Sequence, residues 1–168
     1  MLSTERLLIR EFTELDAPVI LELLNSPLYI KNIGDRNVRT LAEAEGFVSD
    51  RIMASYAQHG YGMYAVVLID TNVVVGMCGL VNRDILPHVD IGFGFLPDYM
   101  GQGYAYESAK AVKKYAEVEL GLSPLLGVTD KKNTPSIKLL RKLGLVHEKI
   151  FIWPEDNEEV LLLSTEPH

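Results

Sequence analysis

"PDYMGQGYAYESA", residues 97–109, is the stretch that decides how this chain folds. It places Gly101 and Gly103 one residue apart, after the alternating apolar run "VDIGFGF" (residues 89–95) and before a helical pattern of small residues. The pattern predicts a strand, a tight glycine turn and the first turn of a helix. Backbone N–H groups at a helix N-terminus converge on one point and carry the positive end of the helix dipole. The stretch therefore predicts an anion site.

The elements around this turn predict a mixed α/β (α+β) domain. In chain order they are a strand (6–12), a helix (13–25), an irregular segment (26–39), a helix capped by Thr40 (41–60), strands at 62–69, 73–81 and 88–96, a helix (104–120), a strand (124–130), a helix (134–144) and a hairpin (145–154 and 158–164). The three consecutive strands exclude the strict strand–helix alternation of a doubly wound sheet. With no linker or repeat, residues 1–168 are expected to form one domain.

Charge and composition exclude several classes of partner. The formal net charge is −7 and no basic stripe appears, which argues against nucleic acid. No apolar run is long enough to span a bilayer and no leader is visible, so we expect a cytoplasmic protein without a membrane partner. The single cysteine, Cys78, lies in the apolar run "VVVGMCGL" and is expected to be a core residue. The local cationic cluster comprises Lys131, Lys132, Lys138, Arg141 and Lys142.

Two common phosphate-binding motifs do not fit the turn. A P-loop needs Lys and Ser or Thr after its last glycine, and Tyr104 and Ala105 stand there instead. A dinucleotide fingerprint needs three glycines after the first strand of a βαβ unit, whereas this turn follows the fourth predicted strand. A nucleotide-binding function is therefore disfavoured.

"FLPDYMGQGYAYESA" (residues 95–109) resembles the signature of the GCN5-related N-acetyltransferases, the GNAT superfamily. In that family a six-residue motif grips the pyrophosphate of acetyl-CoA, and its positions here are Met100 to Ala105. Met100 departs from the usual Arg or Gln. It fits a branch similar to the ribosomal-protein N-terminal acetyltransferases, which often has a large apolar residue there.

Three further stretches carry the same resemblance in the same order. They are "STERLLIREFTELDA" (3–17), "VGMCGL" (75–80) and "TDKKNTPSIKLLRKLGL" (129–145). The resemblance covers almost the whole chain. It implies one central, mostly antiparallel sheet flanked by helices and splayed between the fourth and fifth strands, with the pantetheine of acetyl-CoA in the gap and no metal.

The resemblance also implies a set of cofactor residues. Backbone N–H groups of Gly101, Gln102, Gly103, Tyr104 and Ala105 would hold the pyrophosphate, and backbone groups of Phe93 and Phe95 would meet the pantetheine and the acetyl carbonyl. Asn133 would bond the pantetheine amides, although capping the helix that follows is an equal alternative. Lys142, with Arg141, would touch the 3′-phosphate of CoA or simply complement the helix dipole.

Two residues are candidates for proton transfer. By resemblance, Ser136 would protonate the departing thiolate; its structural alternative is an ordinary first-turn residue. Alternation places Asp90 on one strand face with Gly92 and Gly94, where a carboxylate could deprotonate or attract the amine. The alternative for Asp90 is a solvated strand charge, and His88 and Glu107 are the other candidate bases.

These features predict transfer of acetyl from acetyl-CoA to a primary amine by direct attack. The resemblance suggests a protein N-terminal amine, and a polyamine or aminoglycoside is the alternative acceptor. The acceptor site is expected to use residues 26–39, the helix at 40–59 and the terminal hairpin. A non-catalytic acyl-CoA-binding module of the same fold is a second hypothesis, and either a monomer or a homodimer is compatible with the sequence.

Overall fold

The computed structural model describes all residues 1–168. The strands are β1 (Leu2–Ser3), β2 (Leu7–Glu11), β3 (Met63–Leu68), β4 (Val74–Val81), β5 (Asp90–Phe95), β6 (Leu126–Asp130), β7 (His147–Ile152) and β8 (Glu159–Ser164). The α-helices are α1 (Ala17–Leu24), α2 (Pro27–Asn32), α3 (Leu41–Phe47), α4 (Ala54–His59), α5 (Tyr104–Val118) and α6 (Thr134–Lys142), and a π-helical stretch, Val48–Met53, joins α3 to α4.

All eight strands form one sheet in the order β1-β2-β3-β4-β5-β6-β8-β7. Every neighbouring pair is antiparallel except β5 and β6, which run parallel. The predicted mixed fold with one mostly antiparallel sheet is therefore confirmed. None of the helices combines the length and the apolar character that a membrane span requires.

The parallel pair β5–β6 separates almost as soon as it forms. Its only register pair is Asp90 with Leu126, and the Leu126 N–H donates to the Val89 carbonyl at 3.0 Å. On its other edge β5 pairs with β4 along its whole length. The two strands meet at their amino ends and diverge toward their carboxyl ends. This gap is the splay predicted between the fourth and fifth strands. Those strands are numbered β5 and β6 because the two-residue β1 was not predicted.

Helices cover both faces of the sheet. Helices α5 and α6 pack on one face, where Ile91 and Phe95 of β5 lie in a core with Ala109 and Val112 of α5. Helices α1 to α4 cover the other face. Gly92 and Gly94 point to that second face, since a Cβ added to Gly94 would contact Tyr29 of α2. The predicted alternation along β5 is confirmed.

Several local predictions are confirmed. The Thr40 hydroxyl caps α3 by accepting the Glu43 N–H at 3.1 Å, and Gly60 ends α4 with a left-handed φ of +79°. Cys78 is fully buried, and burial raises the pKa of its thiol to about 12, as expected of a core residue.

The prediction that residues 26–39 are irregular is wrong for their first half. Helix α2 begins at Pro27, which is tolerated in a first turn, and ends at Asn32. Six residues are too few to show a helical period in the sequence. The π-helical stretch was also not predicted, because its apolar spacing resembles that of an α-helix.

A close backbone contact constrains the centre of the sheet. A Cβ added to Gly79 of β4 would overlap the Gly62 carbonyl and lie 2.5 Å from the Met63 Cα. Its cross-strand partner on β5, Gly92, has room, because a Cβ there would lie 3.7 Å from the Met63 sulfur.

These two glycines should respond differently to the same substitution. Gly79→Ala should lower the free energy of unfolding by about 3 kcal/mol or more, because a backbone cannot yield as a side chain does. Gly92→Ala should change it by less than about 1 kcal/mol. Urea denaturation of both variants measures the difference, and equal effects would show that Gly79 does not lie against the Gly62–Met63 backbone.

Candidate active site

The glycine turn after β5 depends on two left-handed residues. Gly101 has φ +74° and Gly103 has φ +83°, a conformation that side chains with a Cβ rarely adopt. Gly103 immediately precedes the first residue of α5, so the N–H groups of the first turn of this 15-residue helix face out of the turn. The predicted order of strand, turn and helix is confirmed, and its geometry suits an anion.

The chain after β6 arrives at the same edge of the sheet. Because β5 and β6 are parallel, their carboxyl ends lie at the same edge of the sheet. The glycine turn comes after the end of β5, and Asn133 comes after the end of β6. The Asn133 Oδ1 accepts the Ser136 N–H at 3.3 Å and caps α6. The capping alternative for Asn133 is thus confirmed. Its side-chain NH₂ points to no partner within the chain, so a role toward a ligand remains a prediction.

Lys142 lies beside the beginning of α5. Its Nζ is 4.0 Å from the ring centroid of Tyr106, a residue of the first turn of that helix. The side chain of Lys142 is exposed. A cation therefore stands near the first turn of α5, and its contact with the 3′-phosphate of CoA stays a prediction. Arg141 is held in an ion pair with Glu148 at 2.5 Å.

Asp90 lies at the closed end of the gap, where β5 and β6 are still paired. Its side chain is only 3% exposed, and it accepts a hydrogen bond from the Arg83 Nε at 2.9 Å. Burial raises the pKa of Asp90 above its ordinary value, and the Arg83 charge opposes that shift. The alternative that Asp90 is a solvated strand charge is wrong.

Arg83 and Trp153 form a support for Asp90 that the sequence did not reveal. The Arg83 guanidinium lies 5.4 Å from the Trp153 ring centroid, which connects the β4–β5 loop to the tip of the β7–β8 hairpin. Neither residue belongs to a motif, and they are brought together only by the strand order. Through this contact the tip of the terminal hairpin lies near Asp90, and the part of the hairpin in the acceptor site stays a prediction.

Ser136 and Asp90 lie at opposite ends of the gap. Ser136 is half-buried in the first turn of α6, beyond the carboxyl end of β6. The four residue steps from Leu126 to Asp130 separate the two levels by about 13 Å. The structure therefore does not bring the two side chains together, and each can act on a different part of a ligand lying along the gap.

The edge of β5 that faces the gap carries Phe93 and Phe95. Phe95 is buried in the core under α5, and Phe93 is half-buried against the same core. The backbone N–H and C=O groups of both residues point to the gap, because the Val89 carbonyl, an even number of residues earlier on the same edge, accepts from Leu126. This is the role that the resemblance implied for both residues.

The two other candidate bases are weaker. Glu107 accepts hydrogen bonds from Thr4 and from the backbone and side chain of Arg6. Burial raises the pKa of Glu107, but these hydrogen bonds outweigh it and hold the pKa below its ordinary value. His88 is exposed and lines a cavity of about 290 Å³ that contains no residue of the glycine turn.

The other face of β5 offers room beside the gap. A Cβ added to Gly92 or Gly94 would meet only side chains, those of Met63, Tyr29 and Ile33. Tyr29 and Ile33 belong to the segment 26–39, which the sequence assigned to the acceptor. A substrate approaching Asp90 from this face would therefore pass α2 and Met63, the first residue of β3.

Comparison with known proteins agrees with this geometry. Residues 6–146 match the family model described as an acetyltransferase (GNAT) domain. The chain belongs to the GNAT acetyltransferase family. GNAT proteins use acetyl-CoA, and the uncharacterised N-acetyltransferase YnaD of Bacillus subtilis is 29% identical over 159 residues, covering 94% of this chain and 90% of YnaD. The chain is an acetyl-CoA-dependent N-acetyltransferase.

Solved structures of the family share the fold. A GNAT acetyltransferase from Bacillus anthracis is 30% identical, with a TM-score of 0.77 and coverage of 96% of this chain and 94% of that one. At 19% identity, the ribosomal L7/L12 α-N-protein acetyltransferase RimL in complex with coenzyme A has a TM-score of 0.79 and coverage of 96% and 94%. A spermidine N-acetyltransferase SpeG chimera from Vibrio cholerae and hSSAT, 15% identical, has a TM-score of 0.77 and coverage of 95% of both chains.

The left-handed glycine next to α5 gives a test of the turn. Gly103→Val should weaken acetyl-CoA binding by about tenfold or more, the equivalent of one lost hydrogen bond to a charged group, because the added side chain forces the turn to rearrange. Isothermal titration calorimetry measures the dissociation constant.

Gly121→Val is the matched control. Gly121 follows the other end of α5, has φ +64° and has no atom within 4 Å of an added Cβ. Gly121→Val should lower the free energy of unfolding about as much as Gly103→Val does and leave the acetyl-CoA dissociation constant unchanged. Equal binding losses in the two variants would mean that the turn is not the cofactor anchor.

Proposed function

We propose that residues 1–168 form one N-acetyltransferase unit that moves the acetyl group of acetyl-CoA to a primary amine by direct attack. The observation that carries this proposal is the divergence of β5 and β6 immediately before a left-handed glycine turn that begins α5. A long, thin ligand with an anionic end fits such an arrangement. Its chain lies between two strands and its pyrophosphate lies at the helix N-terminus.

Each part of acetyl-CoA has a proposed partner in the chain. The pyrophosphate receives N–H groups of residues 101–105, and the 3′-phosphate receives Lys142. Backbone groups of Phe93 and Phe95 extend the β5 edge to the pantetheine, and the free NH₂ of Asn133 donates to a pantetheine carbonyl. In this arrangement the thioester lies within the gap, between the levels of Asp90 and Ser136.

The proton transfers are assigned to the two ends of the gap. Asp90 accepts the ammonium proton through a chain of waters. Its raised pKa, which results from burial, makes it a better base than an exposed aspartate. The neutral amine then attacks the thioester carbonyl, the tetrahedral intermediate collapses, and the C–S bond breaks. Ser136 gives its hydroxyl proton to the departing thiolate, and the second proton lost from the attacking nitrogen passes through water to restore that hydroxyl. The products are the amide, the thiol of CoA and one proton held on Asp90.

A protein N-terminal amine is the acceptor that we favour. The motifs at residues 95–109 and 129–145 resemble the ribosomal-protein N-terminal branch, and the fold is shared with RimL. The fold is equally shared with a spermidine acetyltransferase, and the hairpin tip "PEDNEE" (154–159) is acidic, which favours a polyamine. A small amine is therefore the second candidate acceptor.

The function is tested by thiol release from acetyl-CoA in the presence of separate acceptors. The panel comprises peptides beginning with Ala, Ser or Met, the same peptides with a blocked N-terminus, spermidine and an aminoglycoside. We expect turnover with at least one free peptide and none with its blocked form. Turnover with spermidine alone would select the small-amine candidate, and acetyl-CoA binding without any turnover would select the non-catalytic module.

The two proton roles differ in their kinetic signatures. Ser136→Ala should lower kcat by about 10²–10⁴-fold with little change in acetyl-CoA affinity, because a general acid acts as charge develops on sulfur. Asp90→Asn should cause a loss that is largest at neutral pH and shrinks as the pH approaches the pKa of the acceptor amine. Rate profiles between pH 6 and 10 (about the range spanned by the side-chain base and a free amine) measure both.

The Arg83→Gln variant tests whether Asp90 is a general base or only attracts the acceptor amine by its charge. Because the Arg83 charge lowers the pKa of Asp90, removing it should move the acidic limb of the kcat/KM profile to higher pH. An unmoved limb would rule out Asp90 as the titrating base. A loss smaller than about tenfold in Ser136→Ala would make Ser136 a structural residue.

A further inference from the structure

The side chain of Arg6 lies against the glycine turn, although 96 positions separate it from Gln102 in the sequence. Its Nη1 donates to the Gln102 carbonyl at 2.9 Å, and its Cζ lies 4.5 Å from the ring centroid of Tyr104. Its Nη2 would be 3.3 Å from a Cβ on Gly103. One guanidinium thus contacts Gln102 and Tyr104 and lies beside Gly103, which stands between them.

Glu107 holds this guanidinium in place. The Arg6 Nε donates to the Glu107 Oε1 at 2.7 Å, and the Arg6 backbone N–H donates to the Oε2 at 3.1 Å. The Thr4 hydroxyl donates to the same carboxylate. The side chain of Arg6 is 42% exposed, yet its guanidinium is held at two points. Its Nε is bound to Glu107 of α5 and its Nη1 is bound to the turn.

The contact with the Gln102 carbonyl sets the direction of the next N–H group. In a trans peptide the C=O and N–H point in opposite directions. Because the Gln102 carbonyl points to Arg6, the Gly103 N–H points to the other side of the turn. Rotation of this peptide plane changes ψ of Gln102 and φ of Gly103, and a glycine accepts a wide range of φ at low cost, so without Arg6 the direction of that N–H is poorly fixed.

We propose that Arg6 is a positioning residue that fixes the Gln102–Gly103 peptide so that the Gly103 N–H faces the pyrophosphate of acetyl-CoA. This inference rests on the cofactor placement under the proposed function. Arg6 acts through geometry, because the guanidinium lies on the carbonyl side of the peptide and its charge is paired with Glu107. A preorganised donor binds an anion more tightly, since no ordering is needed on binding.

The test compares two ligands that differ in the pyrophosphate. Calorimetric dissociation constants are measured for acetyl-CoA and for acetyl-pantetheine, which lacks the nucleotide and its phosphates. Arg6→Ala should weaken acetyl-CoA by about tenfold or more and acetyl-pantetheine by less than about twofold. Arg6→Lys should not restore acetyl-CoA affinity, because one ammonium cannot span both Glu107 and the Gln102 carbonyl.

Arg10→Ala is the matched control. Arg10 lies on β2, four residues from Arg6, and pairs with Asp16 at 2.9 Å, but it does not touch the turn. It should lower thermal stability and leave the acetyl-CoA affinity unchanged. Equal losses for both ligands in Arg6→Ala would overturn the proposal and make Arg6 an ordinary structural residue. Full affinity in Arg6→Lys would overturn it in favour of a simple charge contact.

A measurement without ligand separates this proposal from the proposed function. In ¹H–¹⁵N spectra of the free protein, the Gly103 amide should give one sharp peak in the wild type and a broadened or doubled peak in Arg6→Ala. That change would support the positioning role of Arg6 whether or not acetyl-CoA binds. A failure of acetyl-CoA to bind the wild type would instead overturn the proposed cofactor site. A Gly103 peak unchanged by Arg6→Ala would overturn the positioning role.

Discussion

The interrupted pairing between β5 and β6 is the constraint on which the rest of this structure depends. A parallel strand normally satisfies its backbone groups on both edges, and β5 does so fully only toward β4. The single pair at Asp90 and Leu126 holds the two strands together at one end. Beyond it, α5 and α6 begin on either side of the opening. The helix that offers N–H groups, the asparagine cap and the buried carboxylate are all placed by this one divergence.

Much of this architecture could be predicted from the sequence because its signals are local. The two glycines, the alternating run before them and the small residues after them define the strand, turn and helix without any distant contact. Asn133 and Pro135 mark the start of α6 in the same way, and Thr40 and Gly60 mark the ends of the long helical segment. The strand and helix patterns extend over more than one alternation or one helical turn, so their period can be recognised in the sequence.

The parts that sequence reasoning missed are those created by contacts between distant residues. Arg6 reads as the first residue of a strand, and nothing near it indicates that its side chain reaches the turn. Arg83 lies in the β4–β5 loop, where the hairpin pairing brings it to Asp90, and only the order of strands brings it to Trp153. The extent of burial of Asp90 could not be predicted either, since alternation indicates the face on which a side chain lies but not how deeply that face is covered. Helix α2 was missed for a different reason, because six residues provide too little pattern.

The complete burial of Cys78 has a consequence for how the motions of this protein can be observed. A thiol with a pKa near 12 and no access to solvent does not react with maleimides or other alkylating dyes in the folded state. A cysteine introduced on the surface would then be the one position that takes a label. A fluorophore or spin label on the exposed side of α2 could report how that short helix moves, without any need to replace the native cysteine.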